Sequence, residues 1–300
     1  MVGKRTATDW VIDIIIWLIM IIVIVAVMYP FLNALAISLN HAEDTALGGI
    51  TIFPRRFSLE SYSTILTNPV IGRAYFITIS RTLLGTLSAL FVTGILAYGL
   101  AHSDLVGRKY YAIFLLIPMY FAGGIVPQFL MLRAMNMFNS FWVFVVPHMV
   151  GLFNVILMRT FFQQLPDSLE ESAKLDGANY LQIFFRIIIP ISTPIFATIA
   201  LFVGVFHWND WFWGNIYITN QALRPMQNIL LSVINEAQRD AALAALGGAA
   251  ARAAGGGTRP VNVRSITVAT MFVTIAPIIA VYPFLQRFFI KGMMVGSIKG

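Results

Sequence analysis

The sequence predicts an all-α, polytopic membrane protein with six transmembrane helices. Three observations lead to this fold class: 58% of the 300 residues are hydrophobic, only 11% are charged, and six long stretches contain no charge at all. A soluble domain devotes about a quarter of its residues to Asp, Glu, Lys and Arg. The composition therefore excludes an ordinary soluble protein.

The six uncharged stretches set the predicted spans, because a charge at the bilayer centre costs about 2.5–3.5 kcal/mol. Each is longer than the roughly 20 residues that a helix needs to cross the hydrocarbon core. The stretches are Ile14–Ala42, Thr82–Ser103, Tyr110–Leu132, Ala134–Met158, Ile187–Asn209 and Ser265–Gln286. From them we place spans at about 12–38, 76–102, 110–132, 140–158, 190–212 and 265–287, within one transmembrane domain over residues 1–300.

The spans are expected to be helices, because lipid offers the backbone no hydrogen-bond partner and the short alternating segments of a barrel are missing. The first span is too long for a signal-peptide core and no cleavage site follows it, so we expect it to be retained. Four of the prolines in the predicted spans are expected to shape the helices rather than to act as gating hinges. They are Pro30, Pro118, Pro147 and Pro277.

The charged residues suggest an orientation. An N-terminus in the cytoplasm places every lysine on the cytoplasmic side, as the positive-inside rule favours, and six spans then bring the C-terminus to the same side. The lysines are Lys4, Lys109, Lys174, Lys291 and Lys299. Despite the net charge of +7, the basic residues lie singly between apolar runs, which argues against a nucleic-acid-binding face. The chain has no cysteine and hence no disulfide or thiolate metal site.

Three polar segments lie between the spans: outer loops at about 41–73 and 219–264, and a cytoplasmic loop at 160–189. The second outer loop contains an Ala/Gly-rich tract, 240–257, which we interpret as a helical piece followed by a flexible glycine run. The cytoplasmic loop predicts a helix, a turn and a helix, because Gly177 stands at a helix end between capping signals. These signals are the pairs Asp167–Glu170, Ser168–Glu171 and Asn179–Gln182.

The cytoplasmic loop resembles the EAA loop of bacterial ABC importer permeases. Glu171-Ser172-Ala173 stands for Glu-Ala-Ala, Gly177 follows after three residues, and Ile187 to Pro190 follows after nine more. Ser172 and Ile189 depart from the family pattern, each by a small change in volume. The closing sequence Tyr282 to Gly300 and the run Trp208 to Phe212 are similar to the maltose-type, oligosaccharide-uptake subclass, and the chain looks closest to permeases paired with lipoprotein-type binding proteins.

The resemblance implies the type I permease fold and a coupling helix that docks on a separate ATPase. Glu171 would be the charged contact, Ala173 a small residue that lets the helix sit deep, and Gly177 the turn. Alternatively, Glu171 serves only its capping box, and the loop is a structural elbow. The implied ATPase-coupling residues are Glu171, Ser172, Ala173, Asp176, Gly177, Ile187 and Pro190, with Lys299 and Gly300 of the tail facing the ATPase.

No Gly-x-x-x-x-Gly-Lys-Ser/Thr phosphate loop occurs in the chain, so ATP and Mg are expected on a partner. The resemblance implies a transport subunit and no enzyme, with no cofactor of its own. Its implied partners are a second, unlike permease, two copies of a cytoplasmic ATPase, an extracytoplasmic binding protein and a sugar. The implied location is the bacterial cell membrane, with both termini cytoplasmic.

Four residues at the outer end of the fifth span suit a solute path: Trp208, Asn209, Asp210 and Trp211. Aromatic rings pack on the apolar face of a sugar, and Asn and Asp bond its hydroxyls. An ordinary interfacial aromatic belt explains the tryptophans equally well. No metal site is expected, because the separate histidines lack a ligand spacing. They are His102, His148 and His207.

Two rival classes remain open. An ion-coupled secondary transporter would normally carry intramembrane carboxylates or broken helices, and the six windows were defined by their lack of charge. An intramembrane enzyme, such as a lipid-modifying transferase or a protease, would need a catalytic cluster facing the bundle. The sequence shows none within a predicted span.

Overall fold

A computed structural model of the chain describes residues 7–121, 123–245 and 263–297, and these ranges are helical over most of their length. Apart from one bridge that pairs Asn40 with Phe57, the described ranges contain no strand. In chain order the α-helices are α1 (Ala7–Ser38), α2 (Ala42–Ala46), α3 (Glu60–Leu66), α4 (Pro69–Ala101), α5 (Arg108–Tyr120), α6 (Ile125–Ala134), α7 (Leu152–Phe162), α8 (Ser168–Leu175), α9 (Tyr180–Ile183), α10 (Ile189–Ile191), α11 (Thr193–Asn209), α12 (Phe212–Tyr217), α13 (Met226–Ala245) and α14 (Val263–Ser297).

Three helical segments are long and apolar enough to cross a membrane unaided: Thr8–Ser38, Pro69–Ala101 and Val263–Pro283. Three further candidates are bent pairs, Arg108–Tyr120 with Ile125–Ala134, Phe141–His148 with Leu152–Phe162, and Tyr180–Ile191 with Thr193–Asn209. The described ranges thus hold three spans, or up to six if each bent pair crosses as one. The all-α, polytopic class predicted from the sequence is confirmed.

Each bend lies at an uncharged residue that interrupts the helix. Gly124, with a φ of +84°, directly precedes α6 after a bend of 113°, and the extended Gly151 precedes α7 after one of 43°. The 85° bend lies at Ser192, between Pro190 and Pro194. Proline lacks the amide hydrogen that continues a helix. A search for uncharged windows passes over such breaks, and this is why three predicted spans differ from straight helices.

The chain divides into two compact units, Met1–Pro69 with Ser232–Ile275, and Val70–Leu231 with Ala276–Gly300. In the first unit, α1 exposes its side chains almost all round, and none of its most apolar window is buried. Such a helix suits a hydrocarbon surrounding. Asn40 organises the turn after α1, because its amide donates to Asp44 Oδ2 (2.9 Å) and its carbonyl oxygen accepts from Arg56 N (2.8 Å).

The second unit contains two apolar clusters. The larger joins α4, α7, α9 and α11 through fully buried side chains such as Ala97, Met158, Ile183 and Ile199. The smaller joins the 3₁₀ turn Phe141–Phe144 to the end of α12. The larger cluster supports the predicted cytoplasmic loop, and the smaller one lies beside the predicted solute path.

The predicted spans and loops have the following places in this architecture. The Ala/Gly-rich tract begins inside α13, and residues 246–257 of it lie outside the described residues. Lys299 and Gly300, expected to face the ATPase, also lie outside them. Pro147 stands in a 3₁₀ turn, Val146–His148, whereas Pro30, Pro118 and Pro277 lie inside α-helices.

Candidate coupling loop and solute path

The loop helix α8 ends as its sequence predicts. Gly177 adopts a φ of +80°, and Gly177 N and Ala178 N donate to Lys174 O and Ala173 O, both at 3.0 Å. These two bonds form a Schellman motif, which satisfies carbonyls that the helix end would leave unpaired. The next helix begins with the predicted capping box, in which Asn179 and Gln182 bond each other's backbone at 2.9 Å. A rigid turn therefore joins α8 to α9.

The predicted capping boxes at the start of α8 are wrong. Asp167 has helical backbone angles, φ −59° and ψ −30°, and makes no side-chain cap bond. A capping side chain reaches the first turn only from an extended residue. Asp167 instead accepts bonds from Glu170 N and Glu171 N at its own carbonyl. Because Asp167 is the N-cap, Ser168 is already the first residue of the helix, and it forms no capping box with Glu171. The carboxylate of Glu171 therefore takes no part in capping.

The predicted coupling residues fall into two groups. The exposed group comprises Glu171, Ser172, Asp176, Gly177 and Pro190, whereas Ala173 is buried and Ile187 is half-buried. Ala173 packs into the chain's own apolar cluster with Ile183 and Ile188. Its small side chain therefore lets α8 lie close to the bundle, and the outward surface of α8 is left to its exposed neighbours. Among these, Leu175 is 89% exposed.

The sequence did not predict a polar contact on the side of α8 that faces the bundle. Glu170 Oε2 lies 2.8 Å from His102 Nε2, at the residue that directly follows α4. Lys174 Nζ stands 3.8 Å from the same oxygen and 4.7 Å from the centre of the Tyr180 ring. Nothing in the sequence links two residues 68 positions apart, so the contact needed the fold to be seen.

The four predicted solute-path residues do not share one surface. Trp208 is buried and lines an apolar groove of about 540 Å³ formed by α4, α11 and α14. Asn209 ends α11 and is exposed, and Trp211 is 47% exposed. Only Asn209 and Trp211 of the four therefore offer substantial exposed surface to a solute.

The carboxylate of Asp210 is engaged within the chain. Asp210 Oδ2 accepts a bond from Arg81 Nη2 at 2.6 Å, and Oδ1 accepts bonds from Phe212 N (3.1 Å) and Trp213 N (3.3 Å) at the start of α12. The Arg81 side chain is fully buried, and its guanidinium lies 4.2 Å from the centre of the Phe144 ring. Asp210 therefore acts as the joint between α4, α11 and α12, and its bond to a sugar hydroxyl stays a prediction.

Arg81 lies within α4, one residue before the uncharged window that begins at Thr82, and the sequence predicts no partner for it. A buried arginine is tolerated because an anion and a carbonyl of Asp210 pair with it. The charge criterion could not find an ion pair whose members stand 129 residues apart.

Two histidines lie near this joint. His207 is fully buried against α4, neither of its ring nitrogens has a hydrogen-bond partner, and its ring centre is 5.6 Å from that of His148. His148 Nδ1 lies 3.1 Å from Phe144 O. Across residues 7–121, 123–245 and 263–297, no three His, Cys, Asp or Glu side chains are grouped to hold a metal ion.

Comparison with known proteins gives the relatives of this chain. No protein-family profile matches it. It is 34% identical over 271 residues to the polygalacturonan/rhamnogalacturonan transport system permease protein YtcP of Bacillus subtilis, which covers 90% of this chain and 92% of that protein. It is 36% identical to the protein LplC of the same organism, over 90% and 89%. The arabinooligosaccharides transport system permease protein AraQ of Halalkalibacterium halodurans is 27% identical, over 91% of each chain.

A solved structure shares the fold. A chain of a bacterial ABC transporter involved in the import of the acidic polysaccharide alginate superposes with a TM-score of 0.83 and 26% identity, over 96% of this chain and 99% of that chain. The predicted ABC importer permease fold is thereby confirmed. This chain therefore belongs to the carbohydrate-uptake family of ABC importer permeases, as a multi-pass membrane subunit that transports and is not an enzyme.

Proposed function

We propose that this chain passes an oligosaccharide across a bacterial cell membrane when a separate cytoplasmic ATPase, docked on α8, hydrolyses ATP. An extracytoplasmic binding protein delivers the solute, and the full complex holds a second, unlike permease and two ATPase copies. ATP and Mg bind to the ATPase, and both termini of this chain lie in the cytoplasm. The observation that carries the proposal is the rigid unit of α8, Gly177 and α9.

The build of α8 suits force transmission. Its inner face is fixed by Ala173, and its end is fixed by the Schellman motif and the capping box. Its outer surface offers an acid, Glu171, and the apolar side chain of Leu175. Docking surfaces combine apolar anchors with charged contacts. A short helix with a fixed end can transmit a displacement as a rigid body, which a flexible loop cannot do.

The relatives favour an acidic oligosaccharide. YtcP is a permease of a polygalacturonan/rhamnogalacturonan transport system, and the solved transporter is involved in the import of the acidic polysaccharide alginate. Of the predicted solute-path residues, the exposed Trp211 and Asn209 supply an aromatic face and an amide for a sugar. An oligogalacturonide is therefore the first probe, and a neutral arabino-oligosaccharide is its comparison.

Uptake in proteoliposomes tests the proposal. The chain is reconstituted with its second permease, ATPase and binding protein, and entry of labelled oligogalacturonide is followed. We expect uptake that needs both ATP and the binding protein and that stops with a non-hydrolysable ATP analogue. Uptake by the permeases alone, driven by an ion gradient, would identify a secondary transporter instead.

A further inference from the structure

The two glutamates at the centre of α8 face different ways. Glu171 is exposed, whereas the side chain of Glu170 is 21% exposed and meets the 14% exposed side chain of His102. The Nε2–Oε2 distance of 2.8 Å is that of a hydrogen bond. One acid of α8 therefore points toward the partner side, and the other points back to the bundle.

The ring of His102 is held at both nitrogens. Its Nδ1 lies 2.8 Å from the carbonyl oxygen of Tyr98, one turn back in α4, and its Nε2 lies 2.8 Å from Glu170 Oε2. A carbonyl oxygen only accepts, so Nδ1 donates. The rings of Tyr98 and Tyr180 meet the imidazole edge-on, with centres 4.6 Å and 5.4 Å away. The imidazole thus joins the backbone of α4 to a side chain of α8 in one fixed orientation.

Besides the Glu170 contact, α8 meets the bundle through an apolar side chain. Ala173 is the one buried residue of α8, and its side chain is a single methyl group. An apolar contact of this kind resists separation but does not fix direction, because hydrophobic attraction is non-directional. A hydrogen bond weakens steeply when its angle changes. The bond between His102 and Glu170 is therefore suited to carry a directed displacement of α8 into α4.

We propose that His102 is a positioning residue, a strut that makes span α4 follow α8 when the ATPase displaces it. The strut rests on the proposed docking of the ATPase to α8. Without the bond between His102 and Glu170, the ATPase still docks on the outer surface of α8 and still hydrolyses ATP. Part of each displacement of α8 is then not transmitted to α4. The expected defect is therefore in coupling and not in assembly.

The test uses the reconstituted complex with His102→Ala and, separately, Glu170→Ala. Two quantities are measured: the amount of ATPase that co-purifies, and the solute imported per ATP hydrolysed. We expect unchanged co-purification and a roughly fivefold or larger fall in solute per ATP, the size of a typical coupling between sites. Asp104→Ala is the matched control, because Asp104 is an exposed acid beside His102. It should leave both quantities unchanged.

A covalent bridge between positions 102 and 170 should restore the coupling that the substitutions remove. The native chain has no cysteine, so His102→Cys with Glu170→Cys creates the sole thiol pair. A short bifunctional thiol reagent should restore solute per ATP in the double variant, and a reductant that cleaves the bridge should abolish the gain. A purely structural role for His102 predicts no such reversible recovery.

Three results would overturn the strut: normal solute per ATP in His102→Ala, loss of the ATPase from that variant, or a bridged cysteine pair that stays uncoupled. If the ATPase fails to co-purify with the unaltered chain, the proposed docking itself is lost. That outcome is seen in the unaltered complex, and it is therefore distinguishable from failure of the strut alone.

Discussion

Two glycines show how different constraints act on single residues. Gly177 has a φ of +80°, and a Cβ placed there would have no atom within 4 Å, so its constraint lies in the backbone. Gly85 lies inside α4 with ordinary helical geometry, but a Cβ there would overlap the ring of His207. The first position needs conformational freedom, and the second needs space.

Gly177→Val should abolish most uptake while the protein remains in the membrane. A side chain in the left-handed region costs about 1–2 kcal/mol, more for a branched one, so the turn after α8 would reshape. Gly177→Asn is the matched variant, because asparagine tolerates this region. Uptake normalised to the amount of membrane-inserted protein measures the effect. Equal uptake by the valine and asparagine variants would contradict the backbone explanation.

Gly85→Ala should destabilise the protein by about 1–3 kcal/mol, because a methyl group is forced into a filled site. Gly204→Ala is its control on α11, where a Cβ would meet only Thr86 Oγ1 at 3.5 Å, an ordinary contact. Thermal unfolding of the purified variants in one detergent measures the difference. We expect a lower midpoint for Gly85→Ala alone, and adding His207→Ala should recover part of it. Equal unfolding midpoints for the two glycine variants would contradict this, because they would show that the His207 ring moves aside without loss of stability.

At the scale of elements, the joint between α4, α11 and α12 depends on one carboxylate. Asp210 pairs with the buried Arg81 through Oδ2 and bonds the first turn of α12 through Oδ1. Removal of one member of a buried ion pair is strongly destabilising, because it leaves a buried charge without compensation. The joint therefore requires both members or neither.

Asp210→Asn should keep the bonds to α12 but leave Arg81 uncompensated, at a cost of about 3–5 kcal/mol. Arg81→Met combined with Asp210→Asn removes both charges and should recover most of that loss. The thermal unfolding midpoints of the single and double variants, compared at equal detergent and lipid, measure the loss of stability and its recovery. An asparagine variant as stable as the parent would mean that the ion pair contributes nothing.

The sequence predicts local elements better than distant contacts. The helix α8, the turn at Gly177 and the box at Asn179 follow from spacings of a few residues, and the structure contains them. The bends at Gly124 and Ser192 escape a criterion based on charge. The pairing of Asp210 with Arg81 was not predicted, because the two residues lie far apart in the chain. Composition thus indicates the spans, whereas the pairing of side chains between spans needs the fold.

At the scale of the whole molecule, the chain is one subunit of a transporter. Its most apolar window, in α1, buries no side chain within the chain, as expected of a helix that meets lipid. The proposed function assigns ATP hydrolysis to a separate ATPase docked on α8. In the proposed function, α8 faces the ATPase on one side of the membrane, and the segment after α1 faces the binding protein on the other.

Accessibility of single cysteines tests that claim most directly, since the native chain has none. Leu175→Cys on α8 and Leu47→Cys after α2 replace leucines that are 89% and 81% exposed. With a membrane-impermeant thiol reagent on intact cells, we predict labelling of Leu47→Cys alone. Labelling of Leu175→Cys should require permeabilised membranes and should fall when the ATPase is assembled. Labelling of Leu175→Cys in intact cells would contradict the account.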